Sequence, residues 1–234
     1  MKKIFALTSM LLIGVSAFAG EAWKNHLGFG WRLPTGMALS ETQKNSDWDL
    51  KMPVQTGLDV TYTGVHMDSG FSVRAFIDYD VSSSNVPPIN PDDDYNLYGI
   101  NFDVALGAGW APVRNKFFLL GFYGILGFDA TYLFDSDASV TIGNGSSVTT
   151  EVISYGSFFG GGNATLAWTP LGKRFSLYGS ATVGYNFPGI VNSEVETRYE
   201  PADASNDSST RYADTKKVFG TVKVIPAVGI SWKF

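Results

Sequence analysis

The chain contains no cysteine. That excludes a disulfide framework, a thiol nucleophile and lipid attachment through Cys. Histidine is nearly absent as well, with His26 and His66 alone, so a His-rich metal site is excluded by count. Neither histidine lies in a His-x-Ser arrangement, so no hydrolase triad is written locally. Charged residues make up only 17% of the chain, and Lys+Arg (17) are outnumbered by Asp+Glu (22) for a net charge of −5. A surface so poor in cations is unsuited to phosphate backbones, and nucleic acid is not an expected partner. Beyond the first twenty residues no long apolar run occurs, so there is no transmembrane-helix candidate. We expect no catalytic residue, no metal site and no cofactor.

What is present begins with a targeting segment. Lys2 and Lys3 precede an apolar stretch from Ile4 to Val15, and Ala17-Phe18-Ala19 has the A-x-A form of a cleavage site. Residues 1–19 read as a signal peptide, leaving 20–234 as a single domain. Without Lys2 and Lys3 the net charge of −5 becomes −7.

The rest is governed by a period of two. In YNLYGINFDVALGAGW, Tyr98, Ile100, Phe102, Val104, Leu106, Ala108 and Trp110 alternate with Asn101, Asp103, Ala105, Gly107 and Gly109. A strand sends alternate side chains to opposite faces, so one face is greasy and the other small, polar or charged. The same alternation runs through Leu27–Leu33, Leu58–Tyr62, Phe71–Tyr79, Phe175–Phe187 and Val218–Phe234, and less cleanly through 117–134 and 151–168. That makes eight strands. Short turns (GVHMDSG, APVRNK, TPLGK) follow strands two, four and six; longer polar segments near 40–52, 83–94, 135–150 and 188–216 follow strands one, three, five and seven. The long segments carry most of the acidic residues, whereas the turns hold Arg114, Lys116, Lys173 and Arg174 against Asp68.

A weak repeat supports the register. Trp110-Ala-Pro-Val-Arg-Asn-Lys-Phe117 and Trp168-Thr-Pro-Leu-Gly-Lys-Arg-Phe175 share their spacing. Trp110 and Trp168 are placed to sit at a membrane–water interface, with each ring half wet. The predicted fold is all-β: an eight-stranded antiparallel up-and-down transmembrane β-barrel with short periplasmic turns, long extracellular loops and both termini periplasmic. A soluble barrel with a greasy cavity would need many Lys and Glu on its wet face. This polar face is mostly Gly, Ser, Thr, Asn and Ala, which suits the narrow lumen of eight strands.

Charges on the polar face are then lumenal. They are Asp59, Arg74, Asp78, Asp103, Asp129 and Lys223, with Arg32 nearer the outside and His26 near the periplasmic rim. The simpler reading is a salt-bridged plug, because a buried charge needs a partner; the sharper one is a selectivity ring or an ion path. Gly160-Gly161-Gly162 reads as room for a bulky lumenal neighbour rather than as a lateral opening. Asp92-Asp93-Asp94 reads as a solvated loop. The 188–216 segment alternates in both halves (GIVNSEVETRYE, SSTRYADTKKVF), which predicts a hairpin extending strands seven and eight.

The closing GISWKF, with Ile230, Trp232 and Phe234 at alternate positions, resembles the C-terminal assembly signal of bacterial outer-membrane barrels. At the level of architecture, residues 20–234 resemble the small eight-stranded outer-membrane proteins of the OmpX, OmpW and OmpA membrane-domain type. The resemblance implies insertion in the outer-membrane bilayer by the assembly machinery. Two functional expectations stay open. One is a non-enzymatic barrel with a salt-bridged lumen that presents acidic loops, with a ligand met through 83–94 and 188–216. The other is a narrow, OmpW-like channel for small or hydrophobic solutes.

Overall fold

The computed structural model describes residues 22–35, 54–86, 95–142, 145–170, 174–201, 208–218 and 220–234. Residues 1–19, with the cleavage site, and Asp92–Asp94 lie outside the described residues. The described elements are all strands: β1 (Trp23–Thr35), β2 (Val54–His66), β3 (Phe71–Val86), β4 (Tyr95–Arg114), β5 (Phe118–Ile142), β6 (Gly145–Trp168), β7 (Phe175–Asn186), β8 (Gly189–Pro201), β9 (Ser208–Val218) and β10 (Thr221–Lys233). Every pairing is antiparallel. β1 to β7 pair in sequence, β7 pairs with β10, and β10 returns to β1, so eight strands close into a barrel. The closing β1–β10 ladder runs from His26 opposite Lys233 to Arg32 opposite Ala227; pairing the first strand with the last is how a sheet satisfies its own backbone groups in lipid.

The remaining pair, β8 and β9, forms the hairpin expected within 188–216. β8 continues the path of β7 and takes over as partner of β6, from Gly156 opposite Ile190 to Gly145 opposite Pro201. The turn between β8 and β9 lies outside the described residues. The segment near 135–150, expected as a loop, is instead a ladder. β5 and β6 stay paired up to Ile142 opposite Gly145, with a bulge between Asp135 and Ala138. Ser, Thr and Val dominate there, and the Gly143-Asn144 dipeptide between the paired residues is a two-residue hairpin signal. β5 has 25 residues; at about 3.3 Å per residue it spans roughly 80 Å, far more than the ~25 Å apolar band of such barrels.

The faces separate by parity. Phe29, Trp31, Leu58, Leu106, Leu126, Phe158, Leu166, Val183, Val224 and Val228 are exposed on the outer wall, Leu126 at 70%. Arg32, Asp59, Arg74, Asp78, Asp103, Asp129 and Lys223 are buried at 0–3% exposure. The lumen is also less uniformly polar than the alternation suggests. Phe76, Ala105, Tyr123, Ile125, Phe159 and Ile225 form one buried apolar cluster, and Val65, Ala111, Leu119, Ala167 and Tyr178 form another toward the short-turn end.

The short turns are tightly built. Gly70 has φ +77°, and its N–H donates to the His66 carbonyl at 2.8 Å. A Cβ there would also meet Trp110 Nε1 at 2.5 Å, so a side chain is refused by both backbone and space. Arg114 holds the same turn through the carbonyls of Met67 (2.7 Å), Asp68 (2.9 Å) and Ala111 (3.1 Å). The Gly160–Gly162 triplet makes no break: β6 keeps its ladders to β5 and β7 through it. A Cβ on Gly161 would meet the main chain of Val183 and Gly184. The space is therefore taken by the neighbouring strand rather than by a bulky side chain.

The outward parity gives a direct test. Val183→Arg should destabilise the barrel in lipid vesicles by about 2–4 kcal/mol, read from urea unfolding by tryptophan fluorescence.

Candidate functional site

The polar lumen is organised by register. Perpendicular to the strands, Asp59 (β2) stands opposite Asp78 (β3), Asp78 opposite Asp103 (β4), and Asp103 opposite Asp129 (β5). Four carboxylates thus occupy neighbouring places in one row. Such a row is self-repelling unless cations reach it.

Two cations reach it, from the strands that close the barrel. Arg32 on β1 pairs through Nη1 with Asp80, and with Asp103 Oδ2 at 2.6 Å. Its Nη2 donates to Gln55 Oε1 at 2.9 Å. Lys223 on β10 pairs with Asp103 Oδ1, and with Asp129 Oδ2 at 2.8 Å. Its ammonium also lies 5.1 Å from the Phe159 ring centroid, a cation–π distance. Asp103 therefore holds both cations at once.

Neutral groups extend the lattice. Asn101 Nδ2 donates to Asp103 Oδ2 (3.1 Å) and Asp80 Oδ2 (3.3 Å). Thr131 Oγ1 donates to Asn101 Oδ1 at 2.6 Å, and Asn186 Nδ2 donates to Asp129 Oδ2 at 3.0 Å. Buried ion pairs persist only with remaining lone pairs satisfied in this way.

On the far side of the row, Tyr178 Oη donates to Asp59 Oδ2. In register, Tyr178 (β7) is followed by Gly229 (β10), Gly30 (β1) and Asp59. The ring lies across the two glycines to reach the carboxylate; a Cβ on Gly229 would stand 2.7 Å from Tyr178 Cε1. Arg74 sits lower, with Nη1 donating to Thr63 Oγ1 at 3.0 Å.

The structure thus joins Arg32, Asp103, Asp129 and Lys223 in one lattice. Asp59 is engaged by Tyr178, and Arg74 and Asp78 stand outside the ion pairs among the described residues. Asp80, Gln55, Asn101, Thr131, Tyr178 and Asn186 were not picked out from the sequence. Asp80 shares the parity of Asp78 and was legible by carrying the alternation two residues further. The neutral members carry no signal of their own.

Among the described residues, small spaces lie inside the lumen. Two spaces of about 10 Å³ each lie toward the short-turn end, one bordered by Lys24, His26, Arg114 and Lys233, the other by His26, Arg74, Tyr178 and Ser231. Each is about the size of one water. A larger space of about 330 Å³ lies outside the barrel, over Ala164, Gly179, Ala181 and Pro226.

At the rim, Trp110 and Trp168 are half exposed on the outer face. Trp110 Nε1 donates to the Ser69 carbonyl at 3.1 Å, the half-wet setting an interfacial indole suits. Ile230, Trp232 and Phe234 project outward from β10 and its end. Trp232 packs edge-on against Phe175 with centroids 4.4 Å apart. The N–H of Phe234 donates to the Asn25 carbonyl at 2.9 Å, so pairing with β1 continues to that residue.

This is the fold of the small eight-stranded outer-membrane barrels. Among solved structures, the chain is similar to a major outer membrane protein from Thermus thermophilus, with 13% identity over 92% of this chain and 100% of that one and a TM-score of 0.58. Weaker likenesses are to the outer membrane protein OprG from Pseudomonas aeruginosa (14% identity, 91% and 95% coverage, TM-score 0.46) and the outer membrane protease OmpT from Escherichia coli (8% identity, 92% and 98% coverage, TM-score 0.24). No family model matches the sequence, and neither does any curated protein.

Removing the shared cation exposes what the lattice contributes. Lys223→Met leaves Asp129 buried without its cation and Asp103 with Arg32 alone, and should cost about 3–5 kcal/mol, measured by urea unfolding of the refolded barrel. Lys223→Arg should recover part of that loss.

Proposed function

We propose that this protein is a non-enzymatic integral outer-membrane barrel whose lumen is a salt-bridged plug, and whose long-loop end, with the β5–β6 and β8–β9 hairpins, is its interaction surface. The observation that carries the reading is the Arg32–Asp103–Lys223 bridge. It spans the lumen from the closing strands β1 and β10 to β4 with its charges buried. A conduit would need a continuous wet or greasy path. In support of a plug, the lattice and the Phe76–Phe159 cluster lie within the section, and two lumenal spaces bordered by described residues are each water-sized. The greasy outer wall fits a bilayer as its partner, and the outward Ile230, Trp232 and Phe234 fit recognition by the assembly machinery. On this reading the short turns, with Arg114 and the termini, are periplasmic. Extracellular ligands are met through 83–94 and 188–216.

A narrow channel for small or hydrophobic solutes is the second reading, favoured by the 330 Å³ apolar depression on the outer wall beside Pro226. There the β1–β10 ladder ends, at Arg32 opposite Ala227.

Planar-bilayer recording separates the two. The refolded wild-type barrel should show no reproducible single-channel steps, and Arg32→Ala combined with Lys223→Ala should produce them. Wild-type steps that vanish when Arg74 or Asp103 is substituted would establish a channel instead.

A further inference from the structure

The lumen buries five carboxylates (Asp59, Asp78, Asp80, Asp103, Asp129) against three cations (Arg32, Arg74, Lys223) among the described residues. Four of the five are accounted for. Asp80, Asp103 and Asp129 are bound by Arg32 or Lys223, and Asp59 accepts from Tyr178. Asp78 is fully buried, and neither of its oxygens has a hydrogen-bond partner. Its register neighbours are Asp59 on one side and Asp103 on the other. A buried carboxylate that faces two others and receives no donor is among the most unfavourable arrangements a fold can hold.

We propose that Asp59 and Asp78 form a one-proton site, a carboxylic acid and a carboxylate joined by a shared O–H···O⁻ hydrogen bond. The proton supplies the donor that Asp78 lacks and removes one negative charge from the excess of two. Asp103 is committed to Arg32 and Lys223, so Asp59 is the neighbour left to share with. A metal ion fits less well. Neither water-sized lumenal space is lined by Asp59 or Asp78, and no group of three or more His, Asp or Glu suited to a metal occurs among the described residues. The charged and titratable groups facing the pair are Arg74 on β3, Arg32 on β1, Asp103 on β4 and Tyr178 on β7. Of these, Arg74 is the cation with no ion pair of its own among the described residues, and it offsets the charge that remains.

The inference deepens the plugged-lumen reading and rests on it for the buried setting, but its test reads the proton itself and stands apart from conductance. Infrared spectra of the full refolded chain at neutral pH, in H₂O and D₂O, should contain the C=O stretch of a protonated carboxylic acid that shifts on deuteration. Asp78→Asn and Asp59→Asn should each abolish it, and Asp78→Glu should keep such a band at a displaced frequency; folding of each variant is checked by heat-modifiable gel mobility. Should one Asn variant fail to fold, the other decides, and Asp78→Glu with a displaced band decides if both fail. Absence of the band in the wild type, or its persistence at full strength in a folded Asn variant, overturns the proposal. So does an Asp78→Glu band identical to wild type when no Asn variant folds.

Discussion

The structure turns on one buried carboxylate. Asp103 is fully inaccessible and holds Arg32 and Lys223 together. Those two side chains come from β1 and β10, which meet only at the closing seam. A charge without its partner would be costly here, so the ion lattice and barrel closure depend on each other. The cations need β4 across the lumen, and the carboxylate row needs the seam formed. Hydrogen bonding in the wall says only that the sheet must close; the lattice adds which strands must face each other when it does.

This coupling organises the lumen into layers. Toward the short turns the filling is apolar, around Val65, Leu119 and Ala167, with Phe76, Tyr123 and Phe159 in the other apolar cluster. The Arg32–Asp103–Lys223 lattice lies toward the long loops, with Arg74 below it beside Thr63. Among the described residues, the outer wall is lined by exposed apolar side chains. Outside and inside have exchanged their usual roles, and the packing that remains inside is carried by ions, amides and a few rings.

Much of this was legible in the sequence. A period of two fixes the face of every strand residue once one face is assigned, so the burial of Arg32, Asp59, Asp103 and Lys223 followed from parity. The eight wall strands followed from the alternating segments, and the grouping of the short turns at one end from segment lengths. What parity does not carry is rotation around the barrel. Which lumenal residues meet depends on register and stagger, and stagger is a property of the closed sheet, not of any segment. The Lys223–Asp129 pair, 94 residues apart in sequence, has no local trace. The 135–150 segment reads as a loop because its polarity outweighs its β-branched content, while its ladder needs a partner strand to be seen. Gly30 and Gly229 read as small lumenal fillers, but the reason for each is a ring arriving from another strand.

That ring has an optical consequence. Tyr178 lies on a floor made by Gly229 and Gly30, one from the last strand and one from the first. The floor does not exist until the two ends of the chain lie side by side. The phenol is therefore a chromophore whose surroundings change at the moment the ring of strands is completed, a native signal of the final step of folding.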